Sequence, residues 1–172
     1  MAQNNSSERL AMLIFFDTEF TELGVDPRLI SIGLISEDDQ TFYAELTDTY
    51  TQADCSHFAV EAVLPHLEGG KARVNMPELT MQLSKWLQAF KQPVTLACDS
   101  LAWDWMWMQE IFYSIETWPP NLDGKPVILK FNDEVFNAAV EAAFASGLRR
   151  HHALDDAKAN RTGWLALEVY SL

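Results

Sequence analysis

Apolar positions along this chain follow two different periods, and the places where the period changes outline the fold. Ala11 to Phe16 is an unbroken apolar run, the mark of a strand buried on both faces. Gly24 and Pro27 put a loop after it. Leu29 to Ile35 and Thr41 to Leu46 read as a second and a third strand, separated by the polar turn residues at 36–40. The chain therefore opens as an antiparallel meander. Ser56 then predicts a cap for a short helix that Pro65 ends. The period lengthens next, because Leu79, Leu83, Trp86, Leu87 and Phe90 share one face of a helix starting near Asn75 and Pro77. Val94 to Cys98 is a fourth strand, and Val127 to Leu129 a fifth. Between them lie an aromatic-rich helix from Trp103 or Asp104 to about Ser114 and a Pro- and Gly-bearing loop from Trp118 to Lys125. Asn132 is expected to cap a helix that carries Val135, Ala139, Val140, Ala143 and Phe144 and stops at Gly147. The last helix opens near Ala153 and turns Ala157, Trp164 and Leu167 toward a core.

This order predicts an α/β fold, a mixed five-stranded sheet of antiparallel meander plus parallel strands, flanked by helices. No repeat or composition shift divides the 172 residues, so 1–10 reads as a polar leader and 11–172 as one domain. No apolar run is long enough to span a membrane. Cys55 and Cys98 are too few for a disulfide framework, which favours a reducing, cytoplasmic setting. The net charge of -13 argues against broad binding to long duplex nucleic acid. It leaves open a nucleic-acid enzyme whose clustered acids hold cations, because those cations then present positive charge to phosphate.

The candidate chemistry begins at the end of the first strand, with Phe15-Phe16-Asp17-Thr18-Glu19-Phe20. Residues two apart in a strand point the same way, so Asp17 and Glu19 project together, roughly 6.5–7 Å apart along the backbone. Two like charges that close call for a shared proton or a cation, and an oxygen-preferring divalent ion suits them. In open α/β sheets, sites form beyond the carboxyl ends of parallel strands. Asp17 and Glu19 leave the first strand at that end, and Asp99 leaves the fourth. Late in the chain, Arg149-Arg150-His151-His152-Ala153-Leu154-Asp155-Asp156 adds two acids to a helix's first turn, which also satisfies the helix dipole.

Taken together, Asp-x-Glu ending an apolar strand, an aromatic-Asp pair after a later strand, and His-x-Ala-Leu-x-Asp opening a last helix resemble the DEDDh pattern. The chain is similar to the DnaQ-like 3'–5' exonucleases of the ribonuclease H-like superfamily, and most like the small stand-alone bacterial exoribonucleases. The resemblance implies metal ligands at Asp17, Glu19, Asp104 and Asp156, with His151 and Glu19 catalytic and two Mg2+ or Mn2+ as cofactors. It departs from the pattern before Asp104, where Asp99-Ser100-Leu101-Ala102 stands in place of the usual Asn or His-Asn. Asp99 is therefore an alternative ligand to Asp104, the latter favoured by its spacing from Trp103. His152 and Asp155 miss the pattern's spacing and are expected to be exposed neighbours. Thr18, Phe20 and Leu23 are implied substrate contacts, Arg149 and Arg150 candidate phosphate contacts. Trp103, Trp105, Met106, Trp107 and Met108 are expected to pack in the core. The partner implied is the 3' end of single-stranded RNA or DNA, and a homodimer follows by analogy with stand-alone relatives. Two other readings stand beside this one, a phosphohydrolase of nucleotides or small phosphoesters and a silent nucleic-acid-binding module.

Overall fold

A computed structural model of the protein describes residues 11–113 and 118–170. The expected leader and the end of the aromatic helix at Ser114 lie outside the described residues. Six strands form one sheet: β1 (Met12–Phe20), β2 (Leu29–Ser36), β3 (Thr41–Leu46), β4 (Arg73–Val74), β5 (Val94–Cys98) and β6 (Val127–Ile128). Their order across the sheet is β4-β3-β2-β1-β5-β6. The pairs β1/β2 and β2/β3 are antiparallel, while β1/β5, β5/β6 and β3/β4 are parallel. The expected five-strand sheet thus gains β4. Two residues beside β3 show no alternation, so their sequence gives no strand signal.

Four helices cover the sheet: α1 (Met76–Ala89), α2 (Met106–Tyr113), α3 (Glu134–Ala145) and α4 (Ala153–Tyr170). The period of two along β1 divides the core. Ile14 and Phe16 join the cluster containing Leu79, Leu83, Leu87, Met108 and Ile111 from α1 and α2. Leu13 and Phe15 join Phe136 and Ala157, with Val140, Trp164 and Leu167 packed alongside, from α3 and α4. Both faces of the central strands are therefore covered, as the apolar run at 11–16 requires.

Caps account for the helix starts. Asn75 and Glu78 form a reciprocal capping box on α1, with bonds of 2.9 and 3.0 Å. The cap of α3 is Asp133 rather than Asn132: Asp133 Oδ1 accepts from Val135 N at 2.9 Å and Phe136 N at 3.2 Å. Asp133 holds the extended backbone next to the first helical residue, and Asn132 sits one position too early.

One glycine controls where α4 lies. A Cβ on Gly33 of β2 would meet Leu154 N at 2.1 Å, so the first turn of α4 rests directly on bare backbone. Gly33 pairs with Asp17 across β1 and β2. The close approach therefore brings Asp156 and the residues before it to the acidic end of β1.

Candidate active site

β1 continues through the acids instead of ending before them, since Asp17 and Glu19 pair with Gly33 and Ser31 of β2. Asp17 and Glu19 follow Leu13 and Phe15 on the face toward α4, and Thr18 and Phe20 follow Ile14 and Phe16 on the face toward α2. After β5, Ser100 Oγ accepts from Trp103 N at 3.2 Å and starts a π-helical turn, Leu101–Trp105, ahead of α2. This wider turn carries Asp104 back over β1. Thr18 donates to Asp104 Oδ1 twice, from its backbone N at 3.0 Å and its hydroxyl at 2.6 Å.

Two donor clusters result. Asp17, Asp99 and Asp104 present ligand atoms all within 4.8 Å of one another, and so do Glu19, His151 and Asp156. Asp104 is buried, and Asp99 is exposed at the cleft edge. Both Asp99 and Asp104 thus reach the site, and the structure brings every acid of the expected set together with His151. Burial pushes Glu19 up to about 9, assisted by the neighbouring Asp156 charge and a hydrogen bond to it. Asp156 is itself raised by burial to about 7. Asp17 is held well above the usual carboxylate range by burial and then by the charges of Asp104, Asp156, Glu19 and Asp99. Asp104 is raised too, by burial and by its contact with Asp99. Buried like charges held this close are what a divalent cation relieves, so the donor set fits oxygen-preferring metals.

His151 takes a left-handed backbone, φ 60°, and sets its ring edge-on to Phe58 at 4.9 Å. Burial, then the Arg150 and His66 charges, lower its pKa, which keeps the imidazole neutral and able to accept a proton. Its neighbours are pinned, and here the expectation of exposure fails. His152 is 1% exposed and Asp155 4%. The His152 ring stacks on Tyr43 of β3 at 4.5 Å. Asp155 Oδ2 accepts from Arg149 N at 3.2 Å and Nε at 2.7 Å, and Oδ1 accepts from Lys158 at 3.1 Å. A helix lying on a sheet buries residues on both sides of its first turn, which motif spacing does not reveal. Burial alone would raise Asp155, yet these bonds hold it at about 2. Arg149 is further tied to Glu68 at 3.1 Å. Arg150 lies over the Phe144 ring, 4.1 Å from its centre, and pairs with Glu141.

The clusters floor a cleft of about 810 Å³. Phe20, Leu23 and Thr18 all line it, although the N–H and hydroxyl of Thr18 face Asp104. Trp105, Trp107 and Met108 are core residues. Trp103 is not fully buried: it stacks on Phe20, centroids 5.3 Å apart, and forms a cleft wall. Phe58, Phe131 and Phe144 complete the aromatic lining and were not evident from the sequence. From α3, Asn137, Val140, Glu141 and Phe144 line the cleft; the sequence marked Val140 and Phe144 only as part of an apolar helix face, and Asn137 and Glu141 not at all.

Fold and acids together define a ribonuclease H-like α/β protein with a carboxylate-lined cleft. No protein-family model matches the sequence, and none of the curated proteins matches it. Solved structures do match in fold. The nuclease domain of 3'hExo, a DEDDh family member bound to rAMP, gives a TM-score of 0.63 at 16% identity, covering 94% of this chain and 94% of that one. S. pombe Pop2p, in its Mg2+- and Mn2+-bound form, gives 0.56 at 14% identity over 92% and 82%. At these identities the likeness is one of fold, and neither carries the narrower resemblance to the stand-alone bacterial branch. No helix among the described residues is long and apolar enough to cross a membrane.

Proposed function

We propose that this protein is a metal-dependent 3'–5' exonuclease that removes nucleoside 5'-monophosphates from the 3' end of single-stranded nucleic acid, with RNA favoured over DNA. One observation carries the reading. Acids from β1, from the turn after β5 and from α4 converge with His151 in two adjacent donor clusters on one cleft floor.

Asp17, Glu19, Asp104 and Asp156 would hold two Mg2+ or Mn2+, with Asp99 the alternative to Asp104. Bound there, the ions supply the positive charge that faces the scissile phosphate and acidify the attacking water. The chain's own residues do the remainder. Thr18 fixes Asp104 by two hydrogen bonds to Oδ1 and so sets the direction of the carboxylate. His151 accepts the water's proton on its unprotonated ring nitrogen. Phe20, backed by Trp103, and Leu23 offer apolar surface to the terminal bases. Of the two arginines, Arg150 lines the cleft, and Arg149 is bound to Asp155 and Glu68. The free Cys55 and Cys98 agree with a cytoplasmic setting, and a homodimer would appear as twice the 19.5 kDa mass in sedimentation.

The test is digestion of matched 5'-labelled single-stranded RNA and DNA with Mg2+, Mn2+ or EDTA. The expected result is a metal-dependent ladder shortening from the 3' end, faster on RNA, and lost in Asp17→Ala and His151→Ala. Hydrolysis that survives in Asp17→Ala rules the assignment out. A second reading, a nucleotide phosphohydrolase, draws on the cleft's shortage of basic side chains. Turnover of mononucleotides but not oligomers would select it.

A further inference from the structure

Asn160 belongs to none of the motifs, yet it stands on the cleft wall, one helical turn along α4 from Asp156 and on the same face. It is 6% exposed. Its side-chain amide has no hydrogen-bond partner among the described residues. Neither amide atom is sealed away from the cleft, so both ends are open to water or a ligand there. The other asparagine on this wall differs, since Asn137 Nδ2 donates to Phe131 O at 2.6 Å. The position of Asn160 is fixed from below. One turn further on, a Cβ at Gly163 would lie 2.8 Å from the Phe136 ring and 2.9 Å from Val140 Cγ2, so α4 and α3 touch there.

We infer that Asn160 is a substrate-contacting residue whose amide hydrogen-bonds the ribose 2'-hydroxyl of the nucleotide held at the carboxylates. The inference rests on the nuclease reading and deepens it. Phosphate oxygens only accept, and could satisfy Nδ2 but not Oδ1. A hydroxyl donates and accepts, so it completes both ends of the amide. Helical rise places Asn160 about 6 Å along the axis from Asp156, the reach of the sugar adjoining a phosphate bound at that carboxylate. The ribose 2'-hydroxyl is the group that separates RNA from DNA at such a site.

The experiment compares wild type with Asn160→Leu, of similar volume, in Mg2+. Three quantities are read: KM on matched RNA and DNA oligomers, calorimetric affinity for adenosine 5'-monophosphate and its 2'-deoxy counterpart, and melting temperature without nucleotide. The expected result is that KM for RNA and the dissociation constant for the ribonucleotide rise about tenfold, while the deoxy ligands change little. Melting temperature should hold, because the side chain replaced makes no hydrogen bond within the described protein. Equal loss on ribo and deoxy ligands, no loss on either, or a melting point several degrees lower overturns the inference alone. Wild type that neither cuts nor binds any of these ligands overturns it together with the nuclease reading.

Discussion

The raised carboxyl groups make the site a source of instability when no cation is present. Glu19 is pushed to about 9 and Asp156 to about 7, whereas in the unfolded chain both titrate near 4. An acid with a raised folded pKa binds its proton more tightly when folded, so stability is highest below about pH 4 for this term and falls toward pH 9. In EDTA the melting temperature should therefore drop between pH 5.5 and pH 8.5. Mg2+ should restore it, by more at pH 8.5 than at pH 5.5. Asp17→Asn should melt higher than wild type in EDTA and gain less from Mg2+. A Mg2+ increment that is absent or independent of pH would show that these acids do not share cations. Asp155 behaves oppositely, as an acid held at about 2 by Arg149 and Lys158. Asp155→Ala should lose about 2 kcal/mol in urea unfolding, because charge-assisted hydrogen bonds to a buried carboxylate are removed. It should also lower kcat, since Arg149 and His152 hold the chain on either side of Arg150 and His151.

Between elements, the decisive contact is β2 against α4. Ala at Gly33 would put its Cβ 2.1 Å from Leu154 N, and backbone cannot turn aside as a side-chain tip can. Gly33→Ala should destabilise by about 1–3 kcal/mol or more and displace Asp156 from Glu19. The check is a loss of the Mg2+-induced melting shift in whatever fraction still folds; an unchanged shift would mean that α4 is not positioned by this contact. Nothing in Ile32-Gly33-Leu34 reveals such a role, because a strand glycine is known only by what lies over it. The strands and helices themselves were legible, since β1, β2, β3 and β5 carry unbroken or alternating apolar runs and α1 a clean stripe with its cap. The site acids were legible for a different reason: buried strands rarely tolerate two carboxylates, so Asp17 and Glu19 stood out. His152 and Asp155 were misread because their burial depends on Tyr43 and Glu68, more than 80 residues away in sequence. Trp103 was read as core because helical spacing does not distinguish a residue facing the sheet from one facing Phe20.

At the scale of the whole molecule, the charge distribution limits how substrate can be held. The net charge is -13, and Asp17, Glu19, Glu22, Asp99, Asp104, Glu141 and Asp156 line the cleft. Among the described residues, Arg150 is the one lysine or arginine lining the same cleft, and Glu141 already pairs with it. A protein that grips a strand through many phosphates releases a counterion at each, and its affinity falls steeply with salt. On the proposed nuclease reading, cations held at the acids and at most Arg150 would meet phosphate from the described lining, so one or two contacts are expected. Each neutralised phosphate on a single strand changes affinity by about threefold between 50 and 200 mM salt. Stacking on Phe20, Trp103 and Phe58 does not depend on salt and must supply the remaining affinity. With Mg2+ saturating, KM for a single-stranded oligomer should rise no more than about tenfold over that range. Lengthening the oligomer from five to twenty nucleotides should leave KM nearly unchanged if the cleft lining, with its single described arginine, is the whole of the grip. Phe58→Ala, which removes an exposed ring from the rim, should raise KM more than the whole salt series does. A hundredfold salt effect, or an affinity that keeps growing with length, would instead mean that phosphate is held by cationic groups outside this cleft.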